Sequence, residues 1–305
     1  MIRPVVAGVD GSREGFAAAD WAAREALRRG LPLRLVHAWE AGLPEGAAEG
    51  AAEAGILPEL RAPQHHARHV LRSALDRLDE RYPQLTITAE QVARPPVPAL
   101  LQEAEGAELL VIGSQGPTGL GGFLSGSVAM AAVAHSERPI VLVCEGASAE
   151  DEHLPDGGGR ASVRTPCREV AVAVDVDEPN DDVLAFAFRA AELRRAPLRA
   201  VHAWHLPFAH GLTDAAERQA RMRGSAEREL AQLLLPWREK FPTVPISEVC
   251  HEGRPAHVVI RAANGSGLLV VGLRRRRTAV APQTGPVAHA LIHRVKGPVA
   301  LVPHD

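Results

Sequence analysis

Short apolar runs alternate along this chain with longer stretches whose apolar positions recur every three or four residues. The runs, rich in β-branched residues, fall at about 4–10, 33–39, 85–92, 108–113 and 139–144. The amphipathic segments between them, at about 13–30, 64–81, 96–105 and 126–136, carry helical spacing. Nearly continuous apolar strands fit a sheet covered on both faces. Strands alternating with helices predict a parallel, doubly wound sheet with right-handed crossovers.

The pattern is written twice. VVAGVD (5–10) returns as VAVAVD (170–175), and LRLVHAW (33–39) as LRAVHAW (198–204), both 165 residues on. LLVIG (109–113) returns as LLVVG (268–272), and RPIVLV (138–143) as GPVALV (297–302), both 159 residues on. The offset changes once, between His202 and Phe241, so the first copy is longer there. Matched blocks in constant order predict two copies of one domain, over 1–146 and 168–305. The segment 147–167 is polar, holds a Gly triplet and is expected to be a flexible linker. The segment 41–60 is expected to be a mobile insertion, with a lid over a ligand as the alternative.

Composition narrows the classes. The chain has 305 residues, 34 basic and 37 acidic, for a net charge of −3, which argues against a chain-wide basic surface for nucleic acid. The halves differ mildly: 1–150 carry 13 Arg against 19 acids, and 151–305 carry 21 basic against 18 acidic residues. Complementary docking of the halves is one use for that asymmetry. Three cysteines, none closely spaced, make neither a disulfide framework nor a zinc pattern, and a reducing cytoplasm is the expected compartment. The start, MIRPVVAGVDGS, has no signal-peptide core, and no apolar run reaches the roughly 18 residues of a membrane span.

The candidate chemistry lies in GSQGPTGLGGFLSGS (113–127), which holds six glycines between a strand and an Ala-rich helix. One reading is a flexible connection capped by Ser125 or Ser127. The other is an anion cradle, in which Gly126 and Ser127 offer free N–H groups and a hydroxyl at a helix start. Gly113 and Gly116 would then let backbone approach the ligand. The stretch is neither a Walker loop nor a G-x-G-x-x-G turn. Asp10 ends the first strand. If that strand neighbours the fourth where strand order reverses, Asp10 and Gly113 flank the crevice in which open α/β sheets bind ligands. There Asp10 either accepts hydrogen bonds from a ribose or an adenine, or caps the next helix together with Ser12.

GVDGS, LVHAW and VIGSQGPTGLGGFLSGSVAMAAVAHSERPIVLV together resemble the universal stress protein family, and G-x2-G-x9-G-S matches its nucleotide-binding pattern at every defined position. The resemblance covers nearly the whole chain as two tandem Rossmann-like domains. It implies five-stranded parallel sheets of order 3-2-1-4-5 with helices on both faces. It implies ATP across the sheet's C-terminal edge, with Mg²⁺ as a candidate companion ion. It also implies pairing through the last strand, as a homodimer or within one chain, and a regulatory role in stress through an unidentified protein partner. Carried over, Asp10 contacts the ribose or base, and Ala38 offers backbone to adenine. Gly113, Gly116, Gly126 and Ser127 hold the phosphates and ribose, and Val128 adds an N–H. No catalytic residue and no metal ligand is assigned. A slow ATPase or phosphotransferase, and a scaffold that binds no nucleotide, are the alternatives.

The second copy departs from the pattern. Asp175, Gly272 and Gly285 match Asp10, Gly113 and Gly126, but Arg275 replaces Gly116 and Pro286 replaces Ser127. Proline removes a hydroxyl and an N–H while still suiting a first helical turn, so this copy is expected not to bind ATP. Arg274 to Arg277 are expected to be a solvated cationic loop. An anion grip or a nucleic-acid contact is the alternative, though no aromatic residues interleave. His65 and His69 share a helix face without a third metal ligand in view, and His37 and His202 are expected to be structural.

Overall fold

The computed structural model describes residues 2–40, 62–114, 127–205, 215–274 and 285–305. These residues form two compact units that divide between Gly146 and Ala147.

In the first unit β1 (Val5–Gly8), α1 (Arg13–Arg29), β2 (Leu33–Ala38), α2 (Ala62–Arg81) and β3 (Ile87–Val92) are followed by α3 (Pro96–Glu105), β4 (Leu109–Ser114), α4 (Ser127–His135) and β5 (Ile140–Cys144). All its strand pairs are parallel, in the order β3-β2-β1-β4-β5. The second unit comprises β6 (Val170–Ala173), α5 (Asp181–Arg194), β7 (Leu198–Trp204), α6 (Ala215–Lys240), β8 (Ile246–Glu252), α7 (Pro255–Ala263), β9 (Leu268–Arg274), α8 (Pro286–Arg294) and β10 (Val299–His304). Its parallel order is β10-β9-β6-β7-β8. Each unit is therefore the doubly wound α/β sheet of order 3-2-1-4-5.

Burial explains the strand composition. β1, central in its sheet, is buried along its whole length, as an apolar run between two helical layers must be, and β5 is buried along its length as well. β3 and β8, each at one edge of its sheet, are half exposed, with the more polar sequences ITAEQV and ISEVCHE. In the first unit Trp21 of α1 is fully buried. In the second, Phe188 of α5 stacks on Trp237 and Phe241, at 5.4 and 5.2 Å between ring centroids.

Both copies end their first helix at equivalent residues in the left-handed region. Gly30 has φ 64° and Arg195 has φ 48°, and each cap N–H bonds back to two carbonyls. The helix starts differ. Ser12 caps α1, whereas α5 begins nearly a turn later, capped by Asn180, the counterpart of Gly15.

The segment expected to be a flexible linker is hydrogen-bonded into a hairpin beside β6. His153 and Cys167 form an antiparallel bridge, Leu154 N donates to Pro166 O, and Asp156 caps the Gly157–Gly159 tip. Glu152 is buried, and its carbonyl accepts from Arg168 N. The segment 41–60 lies outside the described residues.

Candidate functional site

β1 lies between β2 and β4, so strand order reverses at the β1–β4 boundary, and the C-terminal ends of these two strands frame a crevice. Asp10 follows β1 and is exposed. Its Oδ1 accepts from Ser12 N at 3.0 Å and from the Ser12 hydroxyl at 2.5 Å. The Ser12 hydroxyl in turn accepts from Gly15 N at 3.0 Å. Both readings of this residue therefore meet in one place: Ser12 is the cap, and Asp10 orients it with one oxygen. Asp10 Oδ2 has no partner among the described residues.

Two glycines make this arrangement fit. A methyl carbon on Gly15 would lie 2.5 Å from Asp10 Oδ1. One on Gly113, in β4, would lie 2.6 Å from the Glu14 carbonyl carbon and 2.8 Å from Gly15 N. Gly113 thus admits the backbone of the first turn of α1 against the end of β4. Asp10 and Gly113, distant in sequence, both lie against the start of α1.

Ala38 ends β2, in register with Val92. Next to it His37 is buried, and its Nδ1 donates to Val9 O at 2.6 Å. Burial pushes His37 below the ordinary histidine range; His66, its ring 6.0 Å away, adds to this, while the Val9 carbonyl and Asp10 oppose it. His202 repeats the contact with Val174 O at 3.0 Å, so both strand-end histidines tie β1-type and β2-type strands together. Ser127 opens α4, and Val128 is half-buried in its first turn. Gly116 and Gly126 lie outside the described residues.

The second unit keeps the frame and changes the lining. Asp175 Oδ1 accepts only from Asp177 N among the described residues, at 3.2 Å. A methyl carbon on Gly272 would meet the His304 ring at 2.8 Å and Val183, side chains rather than backbone, because α5 starts later. Pro286 occupies the first turn of α8, whose cap Gly285 has no side chain to contribute. Arg274 pairs with Glu178, while Arg275 to Arg277 lie outside the described residues. A cavity of about 280 Å³ opens between β7, β8 and α6, lined by Trp204, Gln219, Arg223, Cys250, His251 and Glu252 among others.

His65 and His69 are exposed on α2, and no group of three His, Cys, Asp or Glu among the described residues could hold a metal ion. No described helix is long and apolar enough to cross a membrane. Sequence reasoning missed Gly15, whose only signal is its place five residues after Asp10. It also missed the pairing of His153 with Cys167, for which no local pattern exists.

Two doubly wound sheets, the first with an acidic residue and a close-packed glycine at its switch point, define a tandem, doubly wound α/β protein. Residues 1–143 and 167–303 both match the universal stress protein family, and the chain belongs to it. The universal stress protein Rv2005c of Mycobacterium tuberculosis is 31% identical, with 97% of this chain and 95% of that protein covered. Rv2623 of the same organism is 30% identical, with 97% and 94% covered. Among solved structures, a universal stress protein from Archaeoglobus fulgidus superposes with a TM-score of 0.66 at 14% identity, covering 99% of this chain and 98% of that one.

Proposed function

We propose that the first unit binds an adenine nucleotide, ATP, in the β1–β4 crevice, and that occupancy regulates a protein partner in a stress response. The observation that carries this reading is Asp10: an exposed carboxylate at the switch point, with Oδ1 committed to Ser12 and Oδ2 free of described partners. A ribose hydroxyl donates well to such an oxygen. Ala38 would offer backbone to the base. Gly116, Gly126, Ser127 and Val128 would admit the phosphates to the helix start, while Gly113 would seat α1 against the crevice. The donor set is backbone N–H and hydroxyl, which suits phosphate. Mg²⁺ would arrive with the nucleotide, since no described cluster of three metal-binding side chains supplies a site of its own. The second unit, with Pro286 at the helix start, stays empty of ATP. Pairing of domains through the last strand, within one chain or between two, belongs to the same reading, and sedimentation equilibrium measures it. Three free thiols suit a reducing cytoplasm.

Universal stress proteins have been crystallised in complex with cAMP and, from Archaeoglobus fulgidus, with dAMP. These nucleotides are therefore titrated beside ATP. Calorimetry of ATP with Mg²⁺ into nucleotide-free full-length chain is expected to give one site. Gly126→Val is expected to abolish it. Folded protein that takes up none of the three nucleotides overturns the reading, as does full affinity in Gly126→Val. Two sites would extend binding to the second unit.

A further inference from the structure

Cys167 and His153 face each other across the hairpin that precedes β6, away from the crevice residues in sequence and in role. They are partners in an antiparallel bridge, so their side chains stand side by side. Cys167 Sγ lies 3.8 Å from His153 Nε2. The other ring nitrogen is committed, with Nδ1 2.6 Å from Thr165 O. A carbonyl only accepts, so Nδ1 carries the proton, and the neutral ring turns the lone pair of Nε2 toward the thiol. Thr165 is anchored in turn, its hydroxyl donating to Ser162 O at 2.8 Å and touching Leu154 O. A thiol, a base and a third group that fixes the base are the parts of an activated nucleophile. Both Cys167 and His153 are half-buried, so the pair is ordered and still reachable.

The other two thiols are arranged for the opposite behaviour. Burial in β5 raises the Cys144 thiol, and Glu14 adds to it. Burial pushes Cys250 up to about 11, with Glu227 and Glu248 adding. Both stay protonated near neutral pH and are poor nucleophiles.

We infer that Cys167 is a modification site, a His153-assisted thiol that takes up a low-molecular-weight disulfide. In this step the Sγ proton passes to His153 Nε2. The thiolate forms a bond to one sulfur of R–S–S–R as that S–S bond breaks. The departing thiolate takes the proton back from His153 and leaves as R–SH. Cys167 is oxidised to a mixed disulfide, and the departing half of the reagent is reduced to a thiol.

The test is the rate of reaction of full-length protein with 2,2′-dithiodipyridine between pH 6 and 10. Mass spectrometry after incubation with oxidised glutathione locates the adduct. One fast phase is expected, absent in Cys167→Ser. An ordinary thiol is only a few per cent ionised at pH 7, so His153→Gln should slow this phase about tenfold there. The gap should close above about pH 9, where a free thiol ionises unaided. Equal rates for the parent and His153→Gln at pH 7 overturn the inference, as does a glutathione adduct confined to Cys250.

Discussion

The backbone of Glu14 occupies the space where a side chain on Gly113 would begin, 2.6 Å from carbonyl carbon to the first side-chain position. This contact sets the start of α1 against the end of β4, and so fixes the crevice that Asp10 borders. Backbone cannot rotate aside as a side chain can. Gly113→Ala should therefore destabilise the first unit by about 1–3 kcal/mol. Gly272→Ala meets the His304 ring instead and should cost less. Urea unfolding of the two variants measures the difference, and equal losses would refute the contact as its cause.

The Ser12 hydroxyl links Asp10 to Gly15 N. Ser12→Ala removes a helix cap and should lower stability by about 1 kcal/mol. Asp10→Asn keeps an acceptor for Ser12 and should leave stability nearly unchanged. On the nucleotide-binding reading, Asp10→Ala should weaken ATP at least tenfold. The melting temperature of each variant, set beside its calorimetric affinity, separates capping from ligand contact.

Burial lowers the pKa of His37 in the folded state, opposed in part by its bond to Val9 O. Above the unfolded value of about 6.5 both states are neutral and stability is full. As pH falls below that value the unfolded chain takes a proton first, so stability is lost until the folded pKa is reached. His37→Asn, whose amide can still donate to Val9 O, should flatten the stability profile between pH 7 and pH 5. A profile as steep as that of the parent would place the titration elsewhere.

Arg195 holds φ 48° at the end of α5, where the first unit has Gly30 at φ 64°. A side chain in the left-handed region costs about 1 kcal/mol. Arg195→Gly should raise the stability of the second unit by up to about that amount, reduced by the extra freedom of glycine in the unfolded chain. Denaturant unfolding gives the sign directly.

Phe188 is fully buried and stacked against Trp237 and Phe241. Phe188→Ala should cost the second unit about 3–5 kcal/mol. Tryptophan fluorescence during urea unfolding should show the transition that reports Trp237 moving to lower denaturant. An unmoved transition would mean that the ring stack contributes little.

Much of this protein is local and was legible in its sequence. Apolar runs separated by helical spacing gave the alternation of elements, because strand and helix periods differ. Two ordered sets of matching blocks, VVAGVD with VAVAVD and LLVIG with LLVVG, disclosed the tandem domains. The order 3-2-1-4-5 came with the family resemblance, and hydrogen-bonded register bears it out. Tertiary structure decided what requires residues far apart to meet. Gly113 closes an apolar strand in the sequence, and only the structure shows that the place of its missing side chain is filled by the backbone of Glu14 and Gly15, about a hundred residues earlier. The 147–167 segment looks featureless, yet its backbone closes a hairpin that sets a thiol beside an imidazole. Sequence pattern records the preferences of neighbours along the chain. Close approach between distant backbones leaves only a glycine as its trace, and a cross-strand pair leaves none.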